Sequence, residues 1–562
     1  MISFLRRHGF VLAVYILALL VTEAYYQGDI AEYAAAVLGH LHGPVGRWDP
    51  LWEFGHLLWR PLGLVLLFVA HWISPSGFGL PDHLLLTSLL MWTSRIAGLG
   101  FALLLDSMLL DISGSRLVAA LVTSFAIVSN AFLNYSQTGS SYVTGLSLTM
   151  LGIWSLQKAT RSGLPFGLAM LAGAVLAASA LFWFPYVFVI PAAFLIPLVF
   201  PYQDSRRTAR FLATAMGCCI VLLAGAYILV LLHLHVGSAA ELKTWVMEAS
   251  HGQKQLLRTN VLRMVFGVPR SFIEMGDLGK VLKRLLFHDP YNPVRLSEAG
   301  VLPLLLFYLA AAAIFYSAWE SSEGRKIVLV SIAAILPVTL FSLFIFESGS
   351  QERYFPLYPF LFWTAALALK GARKAARVAV ICGSVLFAVV LFTSIPGMSA
   401  TRGRELRRIQ ATRISAFAQQ LGPGFLTILN NQDPLMLFSK TYPFDPLNQP
   451  SAVPVHDVIE IGRIGSLTWQ QDFAQRTLAS WDSGGEVWVS KRLTSSRPQP
   501  SWNWVEGEDP HVHWIDLGTF FRQCRYTRDS GGDDGFLFLP PSGENRRLLT
   551  NILNQPVARS KY

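Results

Sequence analysis

The sequence predicts a polytopic α-helical membrane protein that carries a small extracytoplasmic α/β domain at its C-terminus. Of the 562 residues, 53% are hydrophobic and 14% are charged, whereas soluble domains carry about 25% charged residues. The mean hydropathy is +0.44, and residues 162–203 contain no charged side chain, a length sufficient for two spans. Much of the net charge of +10 lies in short loops between apolar runs. We therefore expect anionic lipid, and no nucleic acid, as its partner.

Basic clusters between the apolar runs predict the topology. Two arginines precede the first run, and further clusters lie at 158–161, 204–210, 320–326 and 370–377. Positive charge favours the cytoplasmic side, so we place these clusters and the N-terminus inside a plasma (inner) membrane, and the C-terminal domain outside. About 11 spans result, at residues 8–26, 84–106, 116–135, 142–158, 165–182, 184–200, 211–235, 301–318, 327–346, 355–370 and 377–396.

Two acidic residues follow the first span directly. Asp29 and Glu32 lie in Gly-Asp-Ile-Ala-Glu-Tyr, and a spacing of three residues puts them on one side of a helix. The segment after the first apolar run is a poor signal-peptidase site, so we expect an uncleaved span with the pair at the outer face. Paired acids at the mouth of a membrane helix favour proton abstraction or metal binding. We predict that both residues are catalytic.

The first outer loop is predicted to cover residues 27–83. Its apolar run at 57–73 contains Arg60 and His71, and it would reverse the orientation of all later segments if it crossed the membrane. We therefore predict an interfacial or re-entrant helix there. His40 and His56 are candidate acceptor contacts in this loop, although polar residues are ordinary in any loop exposed to water.

Three further residues are candidate contacts for a donor phosphate. Arg95 lies within the second span, where a charge either faces a cavity or extends to the lipid interface. Arg353 and Tyr354 come just before a late span, and we expect them at the outer surface, level with the acid pair. Arg353 could instead pair with Glu352 or Glu347.

A long outer loop at 236–300 carries many cations, against the usual preference of positive charge for the inside. Arginine and lysine are natural ligands of phosphate, so Lys254 and Arg258 are predicted to contact a phosphate-bearing lipid. The alternative for most of these cations is a solvated amphipathic helix that lies on anionic headgroups.

The composition changes near residue 399. Residues 1–396 form the predicted membrane domain, and residues 397–420 form an arginine-rich amphipathic linker on the membrane surface. Residues 421–562 are predicted to be a small α/β domain outside the membrane, with strands at 425–429 and 486–490 and several turn-rich segments.

Together these motifs resemble the GT-C superfamily of membrane glycosyltransferases, which includes protein O-mannosyltransferases and aminoarabinose transferases. The shared features are an acidic motif after the first span, a large first outer loop with a membrane-lying helix, an arginine in the second span, and an Arg-Tyr stretch before a late span. The Gly-Asp-x-x-Glu pattern is similar to a less characterised branch of the superfamily. The resemblance covers about residues 1–396.

The resemblance implies an inverting transfer of a sugar from a polyprenyl-phosphate donor to an unidentified acceptor, which is a glycan, a lipid or a protein. Asp29 would be the general base, or would orient the acceptor through a divalent metal ion, the one cofactor left open. Arg353 and cations of the long loop would neutralise the departing lipid phosphate. The loop at 136–141 lacks the second acid of several GT-C families, which weakens the case for a metal and leaves a lost or changed activity open.

Two other functions stay open. An oligosaccharide polymerase or ligase with an undecaprenyl-diphosphate donor also has many spans and a large basic outer loop, but it does not require the acid pair. A lipid-linked sugar transporter predicts internal repeats and broken helices near the membrane midplane. The sequence contains no internal repeat, and its ionisable residues lie at the outer edge of the predicted spans.

Overall fold

The computed structural model describes most of the chain, in two compact units. The described residues are 2–23, 28–42, 48–80, 82–200, 204–248, 257–275, 285, 295, 301–345, 348–370, 374–399, 425–429, 455–460, 469–495, 499–500, 514–515, 517–529, 531 and 535–554. The first unit comprises 1–252, 257–283 and 295–403, and the second 253–256, 284–294 and 404–562. Most of the predicted linker at 397–420 lies outside the described residues.

The described part of the first unit is helical. Its α-helices are α1 (Ile2–Val21), α2 (Gly28–His42), α3 (Trp59–Ile73), α4 (Asp82–Ser113), α5 (Arg116–Val128), α6 (Asn130–Tyr135), α7 (Ser141–Arg161), α8 (Phe166–Phe182), α9 (Ile190–Val199), α10 (Ser205–His233), α11 (Ala239–Glu248), α12 (Leu257–Phe272), α13 (Val301–Trp319), α14 (Ser322–Phe344), α15 (Tyr358–Lys370) and α16 (Lys374–Gly397). Short 3-10 helices cover Phe54–His56, Gly77–Gly79, Phe184–Val189 and Gln351–Leu357.

Within the described residues, five helices are long and apolar enough to cross a membrane, judged by length and composition alone. They are Leu85–Ser113, Ser205–His233, Val301–Trp319, Ser322–Phe344 and Lys374–Gly397. Shorter apolar helices include Arg7–Val21, Arg116–Val128 and Phe166–Phe182, and α3 in the first predicted outer loop. The total of 11 spans and the interfacial position of α3 stay predictions.

Three of the predicted spans are not single α-helices. Ser129 has an extended conformation, with ψ of 139°, and it divides the span predicted at 116–135 into α5 and α6. Its hydroxyl donates to the carbonyl of Ala126 at 2.7 Å and so caps α5. The spans predicted at 184–200 and 355–370 both begin in 3-10 helices that contain a proline, which lacks a backbone N–H donor.

Basic side chains from several helices gather at one end of α4. Arg7 of α1 forms a salt bridge with Asp111 at 3.1 Å. Arg161 at the end of α7 donates to the carbonyl of Asp111, and Lys370 at the end of α15 donates to the carbonyl of Ile112, each at 3.2 Å. Three basic clusters that the charge pattern places on one side of the membrane therefore meet at one end of the bundle. Which side of the membrane this end faces stays a prediction.

The segment at 136–141, which the charge pattern predicts to lie on the outer side, is buried within the protein. Ser136, Ser140 and Ser141 are fully covered. The polar atoms of the segment are satisfied by neighbouring groups: the side chain of Gln137 donates to the carbonyl of Leu133 at 3.0 Å, and further hydrogen bonds tie the segment to α1 and α4. Internal hydrogen bonds thus replace the water that these polar groups would otherwise need, and the placement of the segment on the outer side of the membrane stays a prediction.

Gly139 is required by the geometry of this segment. Its φ is +66°, and a Cβ atom there would clash with the side chain of Ile30 in α2 and with the backbone nitrogen of Met91 in α4. The segment therefore approaches α2 through a residue without a side chain.

We expect Gly139→Ala to lower the melting temperature clearly more than Gly114→Ala. Both glycines have φ of +66°, but a Cβ atom at Gly114 would meet open space. Each variant costs about 1–2 kcal/mol in backbone strain, and Gly139→Ala adds about 1–3 kcal/mol of overpacking. Thermal unfolding of both variants in the same lipid provides the comparison. Equal losses would show that α2 does not depend on this close approach.

The second unit contains an α/β sheet. Its described strands and helices are β1 (Phe425–Leu429), β2 (Val455–Glu460), α17 (Trp469–Asp482), β3 (Glu486–Ser490), α18 (Lys491–Thr494), β4 (Gln499–Pro500), β5 (Trp514–Ile515), α19 (Leu517–Phe521), β6 (Arg528–Asp529), β7 (Phe536–Leu539) and α20 (Gly543–Asn554). The order β2-β1-β3-β7-β6 is parallel across its first three strands and antiparallel beyond them. β1 and β3 coincide with the two predicted strands. The position of this unit outside the membrane stays a prediction.

Candidate active site

The acid pair lies on a helix that is packed into the first unit. Asp29 and Glu32 belong to α2, but their side chains fall outside the described residues. The described face of α2 includes Ile30, Ala34 and Val37, which are buried in a hydrophobic cluster together with residues of α3 and α4. This spacing of four and three residues is the pattern of one buried helix face. The position of the α2 backbone is therefore defined by packing.

Tyr33 connects α2 to His56 in the first predicted outer loop. Its hydroxyl lies 3.3 Å from Nε2 of His56, and the two rings meet edge to face with centroids 5.4 Å apart. The guanidinium of Arg60 also lies over the Tyr33 ring, 5.9 Å from its centre. The helix that carries the acid pair is thus tied to a buried histidine.

The other ring nitrogen of His56 has two partners. Nδ1 lies 2.7 Å from the hydroxyl of Ser141 and 3.2 Å from the carbonyl oxygen of Phe182. The Phe182 carbonyl can only accept a hydrogen bond, so Nδ1 must carry the proton that is donated to it. In the neutral ring Nε2 is then unprotonated and accepts a hydrogen bond from the Tyr33 hydroxyl. His56 therefore joins α2 to the start of α7 and the end of α8.

A chain of aromatic contacts leads from His56 to Arg353. His56 faces Tyr142 at 5.7 Å, Tyr142 faces Trp183 at 4.7 Å, and the Arg353 guanidinium lies 5.5 Å from the Trp183 ring. We call the side chains Tyr33, His56, Tyr142 and Trp183 the aromatic bridge. Two motifs predicted to act together, the acid-bearing helix and Arg353, are its two ends.

Arg353 is a nearly buried cation with a nearby carboxylate. Its side chain is 11% exposed, and its Nε lies 3.8 Å from Oε1 of Glu352. The other oxygen of Glu352 accepts a hydrogen bond of 2.8 Å from the hydroxyl of Tyr135. The pairing of Arg353 with Glu352 that the sequence left open is present, although 3.8 Å is long for direct contact. A cation held in this way by an aromatic face can still attract an approaching anion.

Glu352, Tyr135 and Trp183 were missed as site residues from the sequence. Tyr135 ends α6, directly before the segment at 136–141 that lacks an acid, and Glu352 brings a buried carboxylate to it across 217 residues of chain. Nothing local in the sequence distinguishes Trp183 from an ordinary residue between two apolar runs. The adjacency of Glu352 and Arg353 was visible, but their shared partner was not.

Two arginines of α12 lie beside Gly349, four residues before Arg353 in the chain. Arg270 donates to the carbonyl of Gly349 at 3.5 Å, and a Cβ atom on Gly349 would lie 3.5 Å from Cβ of Arg263. Seven residues separate these arginines, so they lie on one face of α12. Of the predicted loop cations, Lys254 lies outside the described residues. Arg258 belongs to α12, but its side chain is not described.

Tyr354 is placed differently from the prediction. It was expected at the outer surface as a phosphate contact, but it is 1% exposed. Its hydroxyl donates to the carbonyl of Ser348 at 2.7 Å, and its ring packs so closely on α12 that a Cβ atom at Gly267 would lie 3.1 Å from it. The hydroxyl of Tyr354 therefore has its partner in the protein interior, and a role for Tyr354 as a phosphate contact stays a prediction.

Arg95 and His40 lie apart from the aromatic bridge in the contacts that the structure describes. The guanidinium of Arg95 stacks on Trp92 at 4.9 Å, and its buried Nε has no hydrogen-bond partner among the described residues. His40 pairs with Asp49 at 2.9 Å, and Asp49 also lies 3.8 Å from His233. Their predicted roles as phosphate and acceptor contacts stay predictions.

No group of three His, Cys, Asp or Glu side chains suited to a metal ion occurs in the described part of the chain. The side chains of Asp29 and Glu32 are outside that part. A divalent metal at the acid pair stays a prediction.

We expect His56→Ala to lower both stability and activity. The substitution leaves the Ser141 hydroxyl without its nearest partner in a buried site, which costs about 1–3 kcal/mol, and it releases α2 at Tyr33. His71→Ala is the control, because His71 forms a 2.8 Å pair with Asp82 at partly exposed positions, where a pair contributes about 1 kcal/mol or less. Thermal unfolding and turnover are measured for both, and equal effects would remove the special role of His56.

Comparison with known proteins finds similarity only among solved structures. No protein-family model and no curated protein matches the chain. The apo oligosaccharyltransferase of Archaeoglobus fulgidus shares 11% identity, covering 86% of this chain and 70% of that one, with a TM-score of 0.48. ArnT from Cupriavidus metallidurans bound to undecaprenyl phosphate shares 14% identity, covering 89% and 96%, with a TM-score of 0.42.

Proposed function

We propose that this protein is an inverting glycosyltransferase that moves a sugar from a polyprenyl-phosphate donor to an acceptor at the outer face of a plasma (inner) membrane. Undecaprenyl phosphate, the ligand in one ArnT structure, belongs to this class of lipid. In this proposal the N-terminus is cytoplasmic, and the second unit lies outside the membrane, where it contributes to the choice of acceptor.

The observation that carries the proposal is the aromatic bridge. It links α2, which bears Asp29 and Glu32, to the nearly buried cation Arg353. Displacement of a phosphate needs a base beside the acceptor and a cation beside the leaving group, and the bridge places the two candidate motifs in one packed cluster. The base acts on the acceptor, and the cation acts on the leaving group.

In the proposed reaction, the carboxylate of Asp29 takes the proton of an acceptor hydroxyl or amine. The acceptor atom then bonds to the anomeric carbon on the face opposite the phosphate, which inverts the configuration. The bond between that carbon and the phosphate oxygen breaks, and its electron pair leaves with the lipid phosphate. Arg353 stabilises this developing negative charge.

The test is incubation of the purified protein in lipid with a panel of polyprenyl-phosphate sugars, with and without a chelator of divalent metals. Formation of a covalent sugar product or hydrolysis of the donor supports the proposal, and sensitivity to the chelator reports on a metal. Movement of a lipid-linked sugar across sealed vesicles without a covalent product would instead establish a transporter.

A further inference from the structure

A cavity of about 150 Å³ lies between the start of α1, the last turns of α4 and the first turns of α5. Arg7, Arg116 and Asp106 line it, and its apolar walls include Phe10 and Leu110. Cations beside apolar walls suit a ligand that is itself part anion and part hydrocarbon.

The carboxylates around the cavity already have basic partners. Asp106 lies 2.6 Å from Nδ1 of His8, and both side chains are buried. Arg7 contacts Asp111 at 3.1 Å, and the same nitrogen of Arg7 lies 3.1 Å from the hydroxyl of Ser107. Each acid near the cavity is therefore matched by a basic group.

Arg116 is the cation that remains. It is exposed, and within the described residues no carboxylate pairs with it. Arg161 and Lys370 donate to the carbonyls of Asp111 and Ile112 at the C-terminal end of α4, where the partial negative charge of a helix end favours cations. Arg116 is instead the first residue of α5, where the helix end carries partial positive charge. Both charges there favour an anion.

We propose that this cavity binds the phosphate of an anionic membrane phospholipid, in the leaflet on the N-terminal side of α1. The phosphate lies between Arg7 and Arg116, which supply charge-assisted hydrogen bonds, and near the first turn of α5. The acyl chains follow the outer surface of α1 and α5.

Exposed apolar side chains beside the cavity favour a lipid over a water-soluble phosphate compound. Phe10 is 60% exposed, Leu117 is 69% exposed, and Leu121 on the next turn of α5 is 43% exposed. Hydrocarbon chains of a lipid cover such residues, whereas a soluble anion has no group to do so. Two arginines beside such a surface suit an amphiphile.

This lipid site is separate from the proposed site of sugar transfer. Arg7 lies near the start of α1, whereas the acid-bearing α2 follows the other end of α1 in the chain; the fourteen residues from Arg7 to Val21, the last residue of α1, correspond to about 21 Å along the axis. Lipid binding and sugar transfer can therefore be measured independently.

The test measures binding of phosphatidylglycerol to the full-length protein by native mass spectrometry, after reconstitution in phosphatidylcholine with and without phosphatidylglycerol. We expect Arg7→Gln combined with Arg116→Gln to weaken this binding by about tenfold or more, because two cations near the headgroup are lost. The matched control is Arg206→Gln combined with Arg210→Gln, which removes the same charge from two exposed positions on α10 and should keep the wild-type affinity.

A second variant tests the cavity without changing any charge. Ala120 lines the cavity, so Ala120→Phe should fill it and weaken phosphatidylglycerol binding to a similar extent. Unfolding temperatures measured in phosphatidylcholine alone distinguish loss of the site from loss of the fold. If the arginine variant does not fold, the binding affinity of Ala120→Phe is the test of the proposal. The proposal would be overturned if Ala120→Phe bound phosphatidylglycerol with wild-type affinity, or if the α10 control lost as much affinity as the Arg7 and Arg116 variant. Either result would show that the lipid is attracted by the surface charge as a whole.

Discussion

Asp29→Asn is expected to lower the rate of sugar transfer by about 10²–10⁴-fold, the usual contribution of a general base. The amide keeps the size of the side chain but cannot take the proton of the acceptor. Because α2 is held by the buried face that contains Ile30 and Val37, we expect the variant to fold as the wild type does. Single-turnover transfer from a polyprenyl-phosphate sugar, with thermal unfolding in the same lipid, measures both quantities.

Two matched substitutions are compared with Asp29→Asn. Glu32→Gln tests the second acid of the pair, and a smaller loss than that of Asp29→Asn would identify Asp29 as the base. Asp82→Asn removes an acid that pairs with His71 at the start of α4, and it should leave transfer unchanged. Full transfer by a stably folded Asp29→Asn protein would falsify the assignment of the base.

Arg353→Gln is expected to reduce kcat/KM by about 10²–10³-fold, the cost of removing a group aimed at developing negative charge. The part of the loss that appears in kcat reports stabilisation of the leaving phosphate, and the part that appears in KM reports donor binding. Arg353→Lys keeps the charge but loses the planar group that stacks on Trp183, so we expect an intermediate rate.

The buried carboxylate of Glu352 affects the stability of the Arg353→Gln variant, so a control must also remove that carboxylate. Removal of Arg353 alone leaves Glu352 with one basic neighbour fewer, which destabilises a buried acid. The double variant Glu352→Gln with Arg353→Gln removes both charges, so it should recover stability without recovering transfer. Arg325→Gln is matched in chemistry, because Arg325 lies 6.0 Å from the ring of Trp319, and it should transfer normally. Recovery of transfer in the double variant would show that Arg353 only balances Glu352.

The same variants separate the proposed enzyme from an oligosaccharide polymerase or ligase. Such an enzyme does not need the acid pair, so Asp29→Asn and Glu32→Gln would leave it active. Substitution of Lys254 and Arg258 in the long loop would then abolish activity instead. This pattern of results would replace the proposed function.

Several helices and strands could be predicted from local sequence. The run predicted at 165–182 is α8, which begins after Pro165 and ends before Trp183, and the run predicted at 301–318 is α13 within one residue. The strands β1 and β3 match their predicted ranges. In each case a continuous apolar run is bounded by residues that interrupt it, so the information lies within the segment itself.

The order of motifs along the chain also predicted that the acid-bearing helix and Arg353 act on the same face. It did not predict how they are connected. Tyr142 and Trp183 are ordinary aromatic residues in the sequence, and they become part of a site only because α7 and the turn after α8 pack beside His56. Tyr354 was a candidate from the sequence but does not join the aromatic bridge. Its neighbour Arg353 lies on Trp183, whereas the Tyr354 hydroxyl donates to the carbonyl of Ser348.

The sequence by itself determined the membrane class, the apolar helices and the candidate acid and cation, because composition, hydrophobic runs and charge are properties of neighbouring residues. Only the tertiary structure decided that the segment at 136–141 is buried, that α5 breaks from α6 at Ser129, and that Tyr135 meets Glu352. These features depend on contacts between residues far apart in the chain. Their hydrogen bonds compensate the loss of water only once the helices are packed together.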